Sequence, residues 1–217
     1  MPAKLYKMDL SPPARAAMLA CEIFNVPVEL VDTNLMAGEH LKPEFLKMNP
    51  CHTIPVLVDG DITLHDSHAI IMYLADTYGN NSALYPKDVK QRALVNQKLF
   101  FNSSVLFTRL RNVTIPAFKE GVKGLDDKKR TDIEEAYKYL EAFLSGTKYL
   151  AGNTITIADI AALTTIGGLS YIVPLDGDKY PKLKAWFEEL ENKPYSQKVN
   201  AGGAKALGEF IKSCIQG

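Results

Sequence analysis

The chain has 217 residues, 47% of them hydrophobic, with 25 basic and 25 acidic side chains. It is long enough for one large domain or two modest ones, each with a buried core. The balanced charge predicts no field that attracts nucleic acid or an anionic membrane. We expect a cytoplasmic protein, because no run approaches the roughly 20 apolar residues of a membrane span and no signal-peptide pattern stands at the start.

The cysteines and histidines give no metal or disulfide pattern. Cys21, Cys51 and Cys214 are far apart and form no CxxC pair, so we expect reduced thiols and no zinc site. The four histidines include no pair spaced i, i+4, the spacing that places two ligands on one helix face. The sequence therefore predicts no bound metal.

The first third of the chain alternates between strand and helix patterns. Short apolar runs, with a hairpin signal at Asp59-Gly60, predict strands at residues 3–8, 28–31, 55–58 and 62–64. Helix formers between them predict helices at residues 14–24, 42–47 and 69–78. This order indicates an α/β unit with a mixed sheet, in which the fourth strand is antiparallel to the third.

Strand patterns then disappear, and the remainder of the chain has helical spacing. The predicted helices lie at residues 89–111, 127–144, 157–171 and 181–191. Thr156 and Asp159 form a capping box in front of the third of these helices. We predict an α/β domain at residues 1–80, a linker at 81–88 and an all-helical domain at 89–217.

Three places in the first domain offer groups to a ligand. Ser11 is a helix N-cap whose hydroxyl could instead point outward to a ligand. A cis bond between Ile54 and Pro55 would free the Ile54 backbone to pair with a peptide-like ligand, although trans proline is the commoner case. Asp66 and Ser67 are either plain caps or a receptor for the ammonium and carboxylate of an α-amino acid.

One stripe in the helical half is a candidate pocket wall. Its members are Phe107, Arg111, Ile115 and Phe118, spaced i, i+4, i+8 and i+11. They share one face if the helix continues through Pro116. The apolar members fit a core or a pocket equally well, whereas Arg111 favours a cleft because it is costly to bury without a partner. Leu207 and Phe210 are candidates for the opposite wall.

Five segments in this order and spacing, SPPARA, NPCHTIPVL, HDSHAIIMYL, LYPKD and TIADI, resemble the cytosolic glutathione transferases over essentially the whole chain. The similarity is greatest to the insect delta and epsilon classes, epsilon more closely. It implies a thioredoxin-like N-terminal domain that binds glutathione and an all-helical C-terminal domain that binds a hydrophobic electrophile. It also implies a homodimer with contacts from the helix after Ser67, and glutathione as co-substrate without a further cofactor.

The resemblance assigns roles to particular residues. It implies that Ser11 donates to the glutathione sulfur, which matters because a free thiol with a pKa of about 8.5 is mostly protonated near neutral pH. Ile54 before cis-Pro55 would pair with the cysteinyl backbone, and Asp66 with Ser67 would hold the γ-glutamyl end. The other implied glutathione contacts are His40, His52, Thr53, His68 and Arg111. The implied hydrophobic-substrate contacts are Pro13, Phe107, Arg111, Ile115, Phe118, Leu207 and Phe210.

The expected activity is conjugation of glutathione to hydrophobic electrophiles, as in xenobiotic detoxification, with dehydrohalogenation and peroxide reduction as candidate side activities. Cys51 departs from the resemblance, because the family usually carries glutamine there. It is either a small filler at a turn or a reactive thiol beside His52. Two alternatives are a binding protein that keeps the fold without turnover and a thioredoxin-type redox enzyme, which the missing CxxC disfavours.

Overall fold

The computed structural model of the chain describes residues 2–80 and 83–216. The predicted domain limits include residues 1, 81, 82 and 217, which lie outside the described residues. No helix in the described ranges combines the length and the apolar content that crossing a membrane requires.

The N-terminal part is a mixed four-stranded sheet with three α-helices and a short 3₁₀ helix at Glu39–Leu41. In chain order its elements are β1 (Ala3–Lys7), α1 (Pro12–Ile23), β2 (Val28–Asp32), α2 (Pro43–Met48), β3 (Val56–Asp59), β4 (Ile62–His65) and α3 (Ser67–Tyr78). The strand order is β2-β1-β3-β4, with β1 parallel to β2 and the other two pairs antiparallel. This is the thioredoxin-like arrangement expected from the sequence.

The hairpin between β3 and β4 is present, but its loop lies one residue later than predicted. Asp59 pairs with Ile62, so Gly60 and Asp61 form the turn. Gly60 has a φ of 61°, a value that glycine adopts without steric cost. Asp59 stays in the strand, where its carboxylate accepts hydrogen bonds from the hydroxyls of Tyr73 and Tyr78.

In the rest of the described chain the regular secondary structure is helical, apart from an isolated bridge between Tyr149 and Gly152. Its helices are α4 (Val89–Phe101), α5 (Phe107–Glu120), α6 (Asp127–Gly146), α7 (Ile157–Ile172), α8 (Pro181–Glu191), α9 (Pro194–Val199) and α10 (Ala201–Gln216). The expected pairing of a thioredoxin-like domain with an all-helical domain is therefore confirmed.

The helix predicted at residues 89–111 is not continuous. A π-helical segment at Asn102–Leu106 separates α4 from α5. The hydroxyls of Ser103 and Ser104 both donate to the carbonyl of Phe100, at 3.1 and 2.7 Å, and such back-bonding loosens a helical turn. The apolar pattern alone does not distinguish this wider turn from an α-helix. The α5 helix continues through Pro116, which is the condition for Phe107, Arg111, Ile115 and Phe118 to share one face.

The two parts share a core. One cluster joins side chains of the sheet, α1 and α3, such as Leu5 and Ile70, to Leu99 of α4 and Ala161 of α7. A second cluster fills the helical bundle. Because α7 is buried along most of its length between these clusters, its position decides how the two parts meet.

The start of α7 depends on the buried carboxylate of Asp159, which closes the predicted capping box. Its Oδ2 accepts from the Thr156 N–H at 2.8 Å and from the Thr156 hydroxyl at 2.9 Å. Its Oδ1 accepts from the Leu150 N–H at 2.9 Å and from Trp186 Nε1 at 3.0 Å. Burial raises the pKa of Asp159, while all four hydrogen bonds favour its charged form.

We expect Asp159→Ala to lower the free energy of unfolding by about 3 kcal/mol or more, because it leaves several buried donors without an acceptor. Urea denaturation followed by circular dichroism measures the loss. Asp127→Ala is the matched control, because Asp127 is exposed in the first turn of α6 and should change stability by only about 0.5 kcal/mol. Equal losses in the two variants would contradict the role given to Asp159.

Candidate active site

A cleft of about 580 Å³ lies between the sheet domain and the helical domain. Every site residue predicted from the sequence lines it. These residues are Ser11, Pro13, His40, His52, Thr53, Ile54, Pro55, Asp66, Ser67, His68, Phe107, Arg111, Ile115, Phe118, Leu207 and Phe210. The structure therefore brings together groups from α1, α3, α5, α10 and the loops before α2 and β3.

Ser11 is the N-cap of α1, and it keeps a free donor. Its Oγ accepts a hydrogen bond from the Ala14 N–H at 3.4 Å. Among the described residues, none accepts a bond from the Ser11 hydroxyl, so the O–H can donate into the cleft. The positive end of the helix dipole is at the same place, which favours an anion there.

The turn before β3 exposes backbone groups. The bond between Ile54 and Pro55 is cis. Within the part of the chain that the structure describes, no hydrogen bond forms to the Ile54 N–H or C=O, whereas the Ile54 side chain packs beside Ala14, Phe45 and Val56. The backbone of Ile54 is thus held in place and available to an extended ligand.

Asp66 and Ser67 begin α3 at the polar end of the cleft. Asp66 has a φ of 70°, an uncommon value that non-glycine residues adopt mostly at turns and functional sites. Its Oδ1 accepts from the backbone N–H groups of His68 and Ala69. The hydrogen bond to His68 lowers the pKa of Asp66 to about 2, and the backbone N–H groups add to this effect. The site therefore offers a carboxylate beside the N–H groups of a helix start.

A row of side-chain contacts that the sequence did not indicate runs from Asp66 through His68 to Asn102. His68 Nδ1 lies 3.4 Å from Asp66 Oδ1, and His68 Nε2 lies 3.0 Å from Asn102 Nδ2. With the proton on Nδ1, Nε2 accepts from the Asn102 amide. The buried Oδ1 of Asn102 then has no partner among the described residues. No spacing predicts this contact, because 34 positions separate the two residues and the π-helical segment sets the direction of Asn102.

A basic group of side chains forms another edge. His40 and His52 have ring centroids 6.1 Å apart. Burial, followed by the positive charges of His52 and Lys119, lowers the pKa of His40. The Nδ1 of His40 is buried and has no partner among the described residues. Lys119 lines the same cleft, and sequence reasoning missed it although it follows Phe118 directly.

The opposite half of the cleft is largely apolar. Phe118 of α5 and Phe210 of α10 have ring centroids 4.5 Å apart. Phe107 lines the cleft and also packs against the bundle core. It therefore has both of the roles that its spacing left open, core residue and pocket wall. The lining includes five uncharged polar residues that were not predicted as site residues: Asn102, Ser103, Thr114, Thr164 and Thr165.

Cys51 does not line the cleft although its neighbour His52 does. The thiol is exposed, and the Cys51 N–H donates to the side chain of Asn49 at 3.0 Å. Across residues 2–80 and 83–216, no group of three or more His, Cys, Asp or Glu side chains is placed to hold a metal ion.

The loop that carries Ser11 is held from behind by Arg15. This side chain is fully buried, and its Nε donates to Asn200 Oδ1 at 2.8 Å. One terminal nitrogen donates to the Asp9 carbonyl at 2.7 Å. Gly203 packs against both groups, because a Cβ there would overlap the Asp9 carbonyl oxygen and lie 2.8 Å from Arg15 Cδ. The start of α10 therefore fixes the position of the segment before Ser11.

A cleft with a polar end built by a thioredoxin-like sheet and an apolar end built by helices defines an enzyme that brings two unlike small molecules together. Comparison with known proteins agrees. The family model for the N-terminal domain of glutathione S-transferases matches residues 5–82, and the model for the C-terminal domain matches residues 90–194. This chain belongs to the glutathione S-transferase family and is a transferase.

Individual relatives cover nearly the whole chain. Glutathione S-transferase 1 of Manduca sexta is 42% identical over 211 residues, which span 96% of this chain and 97% of the relative. An epsilon-class glutathione S-transferase from the housefly Musca domestica superposes with a TM-score of 0.96 at 41% identity, covering 98% of both chains. A glutathione transferase homolog from Drosophila mojavensis, solved with bound glutathione, has a TM-score of 0.96 at 40% identity, covering 99% of this chain and 98% of that one.

We expect Gly203→Ala to lower the free energy of unfolding by about 1–3 kcal/mol, because the Asp9 carbonyl and Arg15 must move to admit a methyl group. Conjugation should slow as well, since Ser11 follows the displaced segment. Urea denaturation and steady-state kinetics measure the two effects.

Gly202→Ala is the matched control, because a Cβ at that position meets no atom within 4 Å. It should leave conjugation unchanged and can add up to about 1 kcal/mol of helix stability. If the two alanine variants were equally stable and equally active, the close approach at Gly203 would not position the loop.

Proposed function

We propose that this enzyme conjugates reduced glutathione to hydrophobic electrophiles, with Ser11 stabilising the glutathione thiolate. The observation that carries the proposal is the free O–H of Ser11 at the positive end of α1, in the same cleft as the unpaired Ile54 backbone and the Asp66-Ser67 helix start. These groups match a sulfur, a peptide backbone and an α-amino acid end in turn.

Glutathione would fit the polar end of the cleft, where the ammonium and the α-carboxylate of its γ-glutamyl unit each meet a complementary group. Asp66, with its lowered pKa, is ionised near neutral pH and would accept the γ-glutamyl ammonium. The hydroxyl and the backbone N–H of Ser67, at the positive end of α3, would receive the α-carboxylate. The backbone of Ile54 would pair with the cysteinyl unit, as in strand addition. The glycyl carboxylate would lie near His40 and His52. Thr53, which comes between His52 and Ile54 in the chain, would contact glutathione beside them.

Ser11 would act on the sulfur without attacking anything itself. A hydrogen bond to the charged form of a thiol lowers its pKa, and one pKa unit corresponds to about 1.4 kcal/mol of preference for the thiolate. The thiolate then forms a carbon–sulfur bond with the electrophile, and the leaving group departs with its electron pair. The dipole of α1 adds to the effect of the hydroxyl.

The second substrate would occupy the apolar half, against Phe107, Ile115 and Phe118 of α5 and Leu207 and Phe210 of α10. Pro13 would contact it from the α1 side. Detoxification of xenobiotics fits this chamber. Dehydrohalogenation and peroxide reduction, in which the thiolate acts as base or reductant, stay candidate side activities.

We further propose a cytoplasmic homodimer with contacts from α3 and its surroundings. Phe100, on the last turn of α4, supports a covered face near α3, because 66% of its surface is exposed in the single chain. His68 joins α3 to the segment directly after Phe100 through Asn102.

The proposed domain limits at residues 80 and 89 remain a prediction, as do the roles of individual site residues.

The test of the proposal is the ultraviolet absorbance of the thiolate of bound glutathione, titrated across pH in the wild type and in Ser11→Ala. The wild type should hold the thiol pKa clearly below its free value, and the variant should raise it by about one unit or more. Turnover should fall about 10- to 100-fold with little change in glutathione affinity. Ser145→Ala, an exposed serine on α6, is the control.

An unchanged thiol pKa in Ser11→Ala would remove the role of Ser11. Tight glutathione binding with no ionisation and no turnover of any electrophile would instead favour the binding protein that keeps this fold without catalysis.

Ser67→Ala should act on binding first. Loss of a hydrogen bond to a charged carboxylate should weaken glutathione affinity about tenfold, because such bonds contribute about 1.5–3 kcal/mol. Turnover at saturating glutathione should stay close to that of the wild type, since the sulfur contact is intact. Calorimetric titration with glutathione and steady-state kinetics separate the two effects. Small and equal effects from Ser11→Ala and Ser67→Ala would count against the whole site.

A further inference from the structure

Arg111 is a charged group in the cleft without an acidic partner. It is exposed, and its closest aromatic contact is the Phe107 ring, whose centroid lies 6.0 Å from the guanidinium carbon. No carboxylate among the described residues forms an ion pair with it. The acidic residue in the groove behind it, Asp132, is already bound to Lys128 at 2.7 Å. None of the described residues therefore compensates the guanidinium charge.

Glutathione does not supply the missing anion in the arrangement proposed above. Asp66 is the one carboxylate among the residues that line the described cleft, and it faces the γ-glutamyl ammonium. The α-carboxylate lies at the start of α3. The glycyl carboxylate lies near His40, within the electrostatic reach of Lys119. Arg111 is left over when these charges have been matched.

The surroundings of Arg111 are those of the second substrate. Phe107 lies one turn before it on α5 and Ile115 one turn after it, and both line the apolar half of the cleft. Lys119 stands eight residues further on, about 12 Å along the helix axis. A flat apolar body placed against Phe107 and Ile115 would therefore bring a substituent toward Arg111. The planar guanidinium matches a carboxylate with two parallel hydrogen bonds.

We infer that the apolar chamber selects electrophiles that carry a carboxylate on an aromatic or aliphatic body, and that Arg111 is the residue that recognises this carboxylate. The inference rests on the proposed function and names the substrate class of its second site. The step itself is unchanged: the glutathione thiolate bonds to the electrophilic carbon, chloride or another leaving group departs with the bonding electrons, and the carboxylate takes no part.

The test compares two electrophiles of nearly equal shape, 4-chloro-3-nitrobenzoate and 4-chloro-3-nitrobenzamide. For each compound, kcat/KM is divided by the rate of its uncatalysed reaction with glutathione, which removes the difference in intrinsic reactivity. We expect the wild type to prefer the benzoate by about three- to tenfold, the range of a partly exposed charge pair. Raised ionic strength should reduce this preference because the pair is open to solvent.

Arg111→Gln should abolish the preference, because it removes the guanidinium charge while keeping a polar side chain. Lys123→Gln is the matched control, since Lys123 is an exposed lysine just beyond α5 that does not line the cleft. A preference that persists in Arg111→Gln, or that disappears only in Lys119→Gln, would overturn the assignment to Arg111. Equal use of the two compounds by the wild type would overturn the substrate class.

A binding measurement decides the inference even without turnover. Calorimetry gives the affinities of S-(4-carboxy-2-nitrophenyl)glutathione and its 4-carbamoyl analogue, whose glutathionyl parts are the same and cancel in the ratio. Tighter binding of the carboxy conjugate to the wild type, lost in Arg111→Gln, supports the inference. If Arg111 instead contacts glutathione, the substitution will weaken both conjugates equally and the ratio will not change. If the enzyme turned over neither electrophile but the ratio of the two conjugate affinities still depended on Arg111, the result would count against the proposed function and not against this inference.

Discussion

The buried guanidinium of Arg15 is the interaction on which the position of Ser11 against the helical domain depends. It extends from the helix that carries Ser11 and binds both the Asp9 carbonyl and Asn200, at the junction of α9 and α10. Burial lowers the pKa of Arg15 to about 10, yet the side chain remains charged near neutral pH. Burying an ion is costly unless its donors meet acceptors: Nε and Nη1 do so, whereas the buried Nη2 has no partner among the described residues. The two bonds that form hold the loop before Ser11 and the start of α10 against one another.

The candidate site follows from that arrangement. The sheet domain contributes groups whose positions depend on local backbone geometry: the N-terminus of α1, the cis turn at Ile54 and the start of α3 at Asp66. The helical domain contributes side chains from α5 and α10 that depend on packing. A polar ligand can thus be held by backbone groups, while an apolar ligand meets side chains that also pack against the bundle core. Backbone geometry therefore determines the polar end of the cleft, and side-chain packing determines the apolar end.

Charge is distributed unevenly along the cleft. The polar end pairs one carboxylate, Asp66, with helix N–H groups and histidines, which suits a zwitterionic amino acid end. The apolar end contains the guanidinium of Arg111 and no acid from the described residues that line it. Because the net charge of the whole chain is zero, this local excess is a property of the site and does not reflect a basic surface. Selectivity for the second substrate can therefore depend on charge as well as on apolar area.

The sequence by itself determined the mixed sheet, the helical second domain and the capping box at Asp159, because periodicity, turn residues and caps act over a few neighbouring positions. It also indicated Ser11, the Ile54-Pro55 turn and the Asp66-Ser67 pair. Only the tertiary structure decided the contact of His68 with Asn102, the clamp of Arg15 and Gly203, and the isolation of Arg111. The first two contacts join residues that are far apart in the chain. The third depends on the lack of an acidic partner nearby in the fold. A local sequence pattern reports neither.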